Sequence, residues 1–359
     1  MAPDALETYR KKRDPRRTPE PVPQDNATNQ GDGNTFVIQE HHATALHWDL
    51  RLERGGVLVS WAVPKGLPLD RETNHLAVHT EDHPMEYAAF HGEIPQGEYG
   101  GGQMFIWDRG TYETEKWSER EVKFVLHGSR ATGRYVLFKT GGKNWMIHRM
   151  DPPAEGFEAL PALIRPMLPV ERKRFPAPLS NYSYEMSWDG VRAVVYVDGG
   201  RPRALSADND DLTARFPELR ELAAKLGSRQ VVLDGELVAF DQNNRPSRAL
   251  LESRTNATSP SQIRQLVRQV PVTYVVFDVL HLDNRSTAAL PFVERRALLE
   301  SLRLSGSSWL TSPTWADDPD AVMTAAQAQG LAAVIAKELR SPYRPGRRSL
   351  SWISVQTTR

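Results

Sequence analysis

The chain has 359 residues, 40% of them hydrophobic and 25% charged, and its 45 basic side chains balance 45 acidic ones. Zero net charge excludes a bulk electrostatic grip on nucleic acid or membrane, so any such contact must come from local patches. The absence of cysteine excludes disulfides, thiolate metal sites and a cysteine nucleophile, and it fits a reducing cytosol. No run is apolar enough to span a membrane and the N-terminus lacks a signal core, while the length predicts two domains.

Residues 1–34 read as a basic, mobile arm. RKKRDPRR (Arg10–Arg17) carries six basic residues and one acid, and the Pro/Asn/Gly-rich stretch after it has little to bury. Arg10, Lys11, Lys12 and Arg13 are weak candidate phosphate contacts; a solubilising tail is the other reading. Residues 35–150 are β-like: FVIQEH, LHWDLRLE, VLVSWAV, HLAVHT, QMFIWD, VKFVLHG, GRYVLFKT and NWMIHRM recur between Gly and Pro punctuation, predicting a small barrel or sandwich. PQGEYGGG (Pro95–Gly102) lacks the Lys-Ser/Thr of a P-loop and reads as a turn between strands. Residues 151–179 read as a Pro-rich linker. Residues 180–359 read as an α+β domain, with strands at YEMSWDGVRAVVYVDG, PRALSA, QVVLDGELVAFD and VTYVVFDVLHLD. Helices are expected at LTARFPELRELAAKLG, capped by Gly227, and at VERRALLESLRL and DAVMTAAQAQGL.

LHWDLRLE is the most informative segment of the first half. Strand side chains alternate faces, so Leu46, Trp48, Leu50 and Leu52 share a core face while His47, Asp49 and Arg51 share the other. His41 lies just upstream, where a neighbouring strand can bring it alongside. Two imidazoles and a carboxylate suit Mn, Fe or Zn better than Ca, and a guanidinium fork matches phosphate oxygens. HLAVHTEDHPMEY adds His79, Glu81, His83 and Tyr87. The same alternation also describes a sheet with one wet face.

From about Leu6 to Arg149 the sequence resembles the 3′-phosphoesterase domain of bacterial ligase D, which serves non-homologous end joining. The resemblance implies a small β-barrel, with metal ligands at His41, His47 and Asp49, manganese preferred, and phosphate-handling or catalytic residues at Arg51, His83 and Tyr87, with Glu81 nearby. It also implies DNA ends bearing a 3′-phosphate or 3′-ribonucleotide as substrates, Ku and a separate polymerase or ligase as partners, and a bacterial, nucleoid-associated, cytoplasmic location. Glu40, His42 and Ala45 depart from the Lys, Asp and Arg common in that family.

From about Arg165 to Gln356 the sequence resembles the nucleotidyltransferase domain of ATP-dependent DNA ligases, an α+β, ATP-grasp-like fold. LDGEL carries Glu236, VVFDVL carries Phe277, which the family would stack on adenine, and Asp189 and Arg192 fill a K-x-D-G-x-R-like motif. Ser187 stands at the position of the nucleophilic lysine. A serine hydroxyl cannot form the lysine–AMP phosphoramidate, and no lysine lies between Asn181 and Gly190. Other losses share the same role: Ala207 replaces an arginine, Ala332 an acid, and Ser354 and Gln356 two phosphate-neutralising lysines, whereas Lys337 is kept. The expected domain is therefore a pseudo-ligase that does not use ATP. Arg347 and Arg348 in RPGRRS are either a phosphate contact or a solvated loop. No segment reads as an oligonucleotide-binding-fold or polymerase domain.

The leading expectation is a manganese-dependent 3′-phosphoesterase fused to this degenerate domain. The alternatives are an active ATP-dependent DNA ligase, which covalent AMP labelling would reveal, and a non-catalytic repair scaffold, for which the metal ligands would be dispensable.

Overall fold

The computed structural model describes residues 4–23, 31–316 and 318–357. The chain divides into two compact units, Met1–Glu155 and Gly156–Arg359. No helix among the described residues is long and apolar enough to cross a membrane.

Among its described residues the first unit holds a short helix α1 (Glu7–Lys11) and ten strands: β1 (Thr35–His42), β2 (Leu46–Arg54), β3 (Val57–Val63), β4 (His75–His79), β5 (His83–Pro84), β6 (Gly92–Ile94), β7 (Gly102–Trp117), β8 (Glu121–Gly128), β9 (Thr132–Gly141) and β10 (Asn144–Arg149). The order β1-β2-β3-β4-β10-β9-β8-β7 closes through β1–β7 pairing into an antiparallel barrel, with β5 and β6 attached outside the ring. All eight ring strands contain a run expected from the sequence. Phe36, Ile38, Trp48, Leu50 and Leu52 fill the core with Phe124, Leu137 and Trp145. Alternation then sends His41, Asp49 and Arg51 to the opposite, outer face.

That outer face is not wet. Leu6, Tyr9, Val37, Leu58, Tyr87, Ile94 and Met104 form a second cluster over it. The basic arm thereby departs from the mobile tail expected, in so far as it is described; residues 1–3 and 24–30 lie outside the described residues. Tyr9 is fully buried and its hydroxyl donates to the Pro21 carbonyl at 2.8 Å. Five of the arm's six basic residues meet an acid: Arg10 pairs with Asp4, Lys11 with Glu7, Lys12 with Glu81, Arg13 with both Glu20 and Glu81, and Arg17 with Glu98. Composition alone missed the apolar anchors Leu6 and Tyr9 between those charges.

The second unit contains β11 (Leu168–Arg172), β12 (Tyr182–Met186), β13 (Val191–Asp198), β14 (Arg201–Ser206), α2 (Leu219–Leu226), β15 (Val231–Ala239), α3 (Arg248–Thr255), α4 (Pro260–Gln269), β16 (Val272–Leu282), β17 (Arg285–Ser286), α5 (Phe292–Ser301), β18 (Trp309–Thr311), β19 (Trp315–Ala316), α6 (Pro319–Ala328), β20 (Ala333–Glu338) and β21 (Arg348–Gln356). One sheet runs β14-β13-β15-β16-β17 with β18 on β16, and the other β11-β21-β20-β12-β19. Ala193, Val195 and Val197 pack into the core that includes Leu222 and Leu251 of α2 and α3, while Val194 and Tyr196 join Phe277, Tyr343 and Trp352 in another. A strand buried on both faces reads as continuously apolar, as AVVYV does.

Three expectations need correction here. The segment 160–172, placed in the linker, belongs to this unit: Met167 is fully buried, its N–H donates to the Tyr343 hydroxyl at 2.7 Å, and β11 pairs in parallel with β21. The helix expected from Leu212 begins only at Leu219, because Pro217 disfavours helical backbone in the residue before it; Leu212 and Phe216 reach the same core from a turn. The helices α3 and α4 were not foreseen, although Ser247 and Ser259 cap them and Pro260 opens the second.

Candidate functional site

The pairing of β1 with β2 sets His41 directly opposite His47 and Gln39 opposite Asp49, and opposed side chains on one face meet. One ligand atom each from His41, His47 and Asp49 lies within 4.8 Å of the others. His41 Nε2 donates to the Gly100 carbonyl at 2.8 Å and leaves Nδ1 3.6 Å from the Asp49 carboxylate. His47 Nδ1 donates to the Ala45 carbonyl at 3.0 Å and leaves Nε2 3.8 Å from the same carboxylate. Both imidazoles are thus held in the tautomer that presents a lone pair to one point, the arrangement that metal-ligating histidines need. The donor chemistry and the orientation fit a divalent transition metal.

Arg51 supports this cluster from below. Its Nη2 donates to Asp49 at 3.0 Å, its Nη1 to Ser60 at 2.9 Å and its Nε to Gln39 at 2.7 Å. Burial alone would raise the Asp49 carboxyl, but the Arg51 guanidinium beside it holds it well below the ordinary carboxylate range. The guanidinium lies 4.7 Å from the centre of the Tyr87 ring. Nη1 and Nη2 each keep one further N–H for a phosphate oxygen.

His83 and the arm close the other side. His83 Nδ1 donates to the Glu81 carbonyl at 2.8 Å, which leaves Nε2 as an acceptor 3.5 Å from Arg13. Burial, with Arg51 and Arg13 nearby, pushes this imidazole well below its usual range, which disfavours its protonated form. Tyr87 donates its hydroxyl proton to Glu20 at 2.9 Å rather than keeping it for a phosphate. Glu81 is held between Lys12 at 2.8 Å and Arg13 at 3.1 Å. Arg13, expected on the surface, instead lines the cavity of about 240 Å³ that contains His41, His47, Asp49, Arg51 and His83.

Gln39, Ser60 and Glu20 were missed at the sequence level. Gln39 had a signal, since it lies two residues before His41 and so shares its face. Glu20, in a Pro-rich stretch far from any strand, had none.

In the second unit Ser187 and Asp189 lie between β12 and β13, with Asp189 exposed at a φ of 52°. Arg192 makes a bidentate pair with Asp234 at 2.7 Å. Glu236 accepts from the Gly190 N–H at 3.3 Å, and burial pushes its carboxyl up. Lys337 is paired with Glu185 at 3.0 Å, and burial drives the two towards neutrality, Lys337 down and Glu185 up. Phe277 is 6% exposed, with Lys337 Nζ 4.2 Å and the Arg192 guanidinium 4.6 Å from its ring centre and the Trp352 ring against it at 6.2 Å. Three of the chain's own side chains thus lie against the ring expected to receive a base. Arg347 and Arg348 are both exposed.

The family model described as the DNA Ligase D 3′-phosphoesterase domain matches residues 39–139, and that of the ATP dependent DNA ligase domain matches residues 166–355. A protein of Mycolicibacterium smegmatis named multifunctional non-homologous end joining protein LigD is 43% identical over 98% of this chain and 45% of its own length. A protein of that name from Pseudomonas aeruginosa is 33% identical over 98% of this chain and 47% of its own. The chain thus spans less than half the length of these relatives. A solved structure titled mycobacterial DNA ligase D complexed with ATP and MES aligns at 32% identity and a TM-score of 0.47, covering 54% of this chain and 60% of that one. The chain joins a ligase D 3′-phosphoesterase domain to a ligase nucleotidyltransferase domain, and it belongs to the ATP-dependent DNA ligase domain family.

Proposed function

We propose that the first unit hydrolyses phosphate esters at DNA 3′ ends, removing a 3′-phosphate or a 3′-ribonucleotide, and that the second is an adenylation-deficient ligase-like module. The observation that carries the first half is the convergence of two oriented imidazole nitrogens and a carboxylate beside the buried Arg51 guanidinium. His41, His47 and Asp49 would hold a divalent ion, manganese by preference; when bound, it supplies Lewis-acid polarisation of the phosphoryl group and a more acidic water. Arg51 offers its remaining N–H groups to the phosphate and neutralises charge building on its oxygens. Asp49 and Gln39 keep that guanidinium fixed, so little reorganisation is needed. His83, whose Nε2 faces Arg13 in the same cavity, is placed to contact the departing group.

The names of the relatives support a place in double-strand-break repair, with Ku and a separate polymerase or ligase as partners. Ser187 and the covered Phe277 ring support the reading that ATP is not used.

The test is a 5′-labelled primer-template ending in a 3′-phosphate. With Mn²⁺ the product should carry a 3′-hydroxyl; chelation should stop turnover and Mn²⁺ should restore it. Failure of metal to restore activity would overturn the metal-dependent mechanism. Glu20→Ala tests the arm. It frees Tyr87 and leaves Arg13 with Glu81 alone, and loss of such a positioning contact is expected to slow 3′-end hydrolysis about tenfold, measured as single-turnover rate. An unchanged rate would make the arm structural only.

A further inference from the structure

A second cleft opens beside the metal cavity. It holds about 420 Å³ and is lined by His42, Thr44, Gln96, Glu98 and the glycines of the 96–102 turn, which puts it within the roughly 300–1,000 Å³ of small-molecule sites. The two spaces share Ala43 and Gly100, so a phosphoester seated in the first has one of its two sides at the second. Gly102 has a φ of +146°, and a Cβ there would run into the His42 carbonyl; the wall is bare backbone at the point of closest approach.

Resting on the hydrolase reading above, we infer that this cleft receives the 3′-terminal ribonucleoside as it leaves. The lining distinguishes this occupant from the primer strand. Thr44 and Gln96 are neutral hydrogen-bonding groups and Glu98 is a carboxylate paired with Arg17 at 2.7 Å, so the lining offers hydrogen bonds to sugar hydroxyls and no lysine or arginine of its own to a backbone phosphate. Phe105, a large aromatic left 49% exposed, lies just beyond the lining, at right angles to the lining residue His42 with 5.7 Å between ring centres, where a base reaching past His42 would find a ring to stack on. In the reaction the oxygen of water joins phosphorus, the P–O5′ bond breaks and the proton from water ends on O5′ of the nucleoside. The primer retains a 3′-phosphate, whose own hydrolysis releases inorganic phosphate and has no nucleoside to accommodate.

Thr44 is exposed in the turn between β1 and β2, so Thr44→Trp fills the cleft without disturbing a core. On matched primer-templates ending in ribonucleotides or in a 3′-phosphate, this variant should lower the ratio of nucleoside removal to phosphate removal about tenfold, and Phe105→Ala should lower it in the same direction. Metal-free fluorescence anisotropy should show Thr44→Trp weakening binding of the ribonucleotide-ended DNA relative to the phosphate-ended one. Equal changes on both ends, or none, in an active protein would overturn the subsite alone. A wild type that processes neither end in Mn²⁺ would overturn the hydrolase reading and the subsite with it.

Discussion

Asp49→Asn is expected to abolish metal-dependent 3′-phosphate removal, with a rate loss of roughly 10³-fold or more, equivalent to at least about 4 kcal/mol of transition-state stabilisation. The carboxylate does two things that asparagine cannot. It is the anionic member of the ligand set with His41 and His47, and it is the counter-charge that accepts from Arg51 at 3.0 Å. The amide has nearly the same shape, so the β1–β2 register should survive, and Arg51 keeps Gln39 and Ser60. Two measurements accompany the rate: calorimetric titration with Mn²⁺, which should lose its binding isotherm, and thermal unfolding, which should still show one folded first unit. A folded Asp49→Asn protein that binds Mn²⁺ and turns over normally would remove His41, His47 and Asp49 from the mechanism.

The second large effect concerns ATP. Incubation with ATP labelled at the α-phosphate is expected to leave no covalent AMP on the protein, and Ser187→Lys is expected not to restore it. Supplying the amine repairs only one of several coupled losses. Ser354 and Gln356 still stand where the family places phosphate-neutralising lysines, and a positioned electrostatic stabiliser is worth about 10² in rate. Lys337 and Arg192 already lie against the ring of Phe277, and the lysine is buried in a pair with Glu185. The assay is denaturing electrophoresis followed by autoradiography. A labelled wild type would establish an active ligase domain, and a labelled Ser187→Lys variant would show that the nucleotide pocket is intact and only the nucleophile missing.

The two expectations differ in what made them legible. The shared face of His47, Asp49 and Arg51 could be placed from spacing, because period-two alternation forces it whatever the fold around them, while their reading as a metal and phosphate site rested on the family resemblance. Their pairing with His41 needed the β1–β2 register, which the short connection between the strands sets. The functional part of the arm was not legible. Its charges looked like a solvated run because charge balance is counted along the chain, whereas Arg13 and Lys12 find Glu81 at a separation of nearly 70 residues. In the second unit the identities of Ser187, Ser354 and Gln356 were plain from their motifs, but the covering of Phe277 was not, since it depends on two sheets bringing Lys337 and Arg192 to one ring.

By itself the sequence determined which strands form the barrel, that His47, Asp49 and Arg51 share one face, and which residues stand at the ligase-like motif positions, because these follow from residue type and local periodicity. Only the tertiary structure decided that the outer face of the barrel is buried, that the basic arm roofs the metal cavity with its charges already neutralised, and that 160–172 belongs to the second unit. Those outcomes turn on burying apolar anchors such as Tyr9 and Met167 and on pairing charges that are distant in sequence, and neither quantity is local.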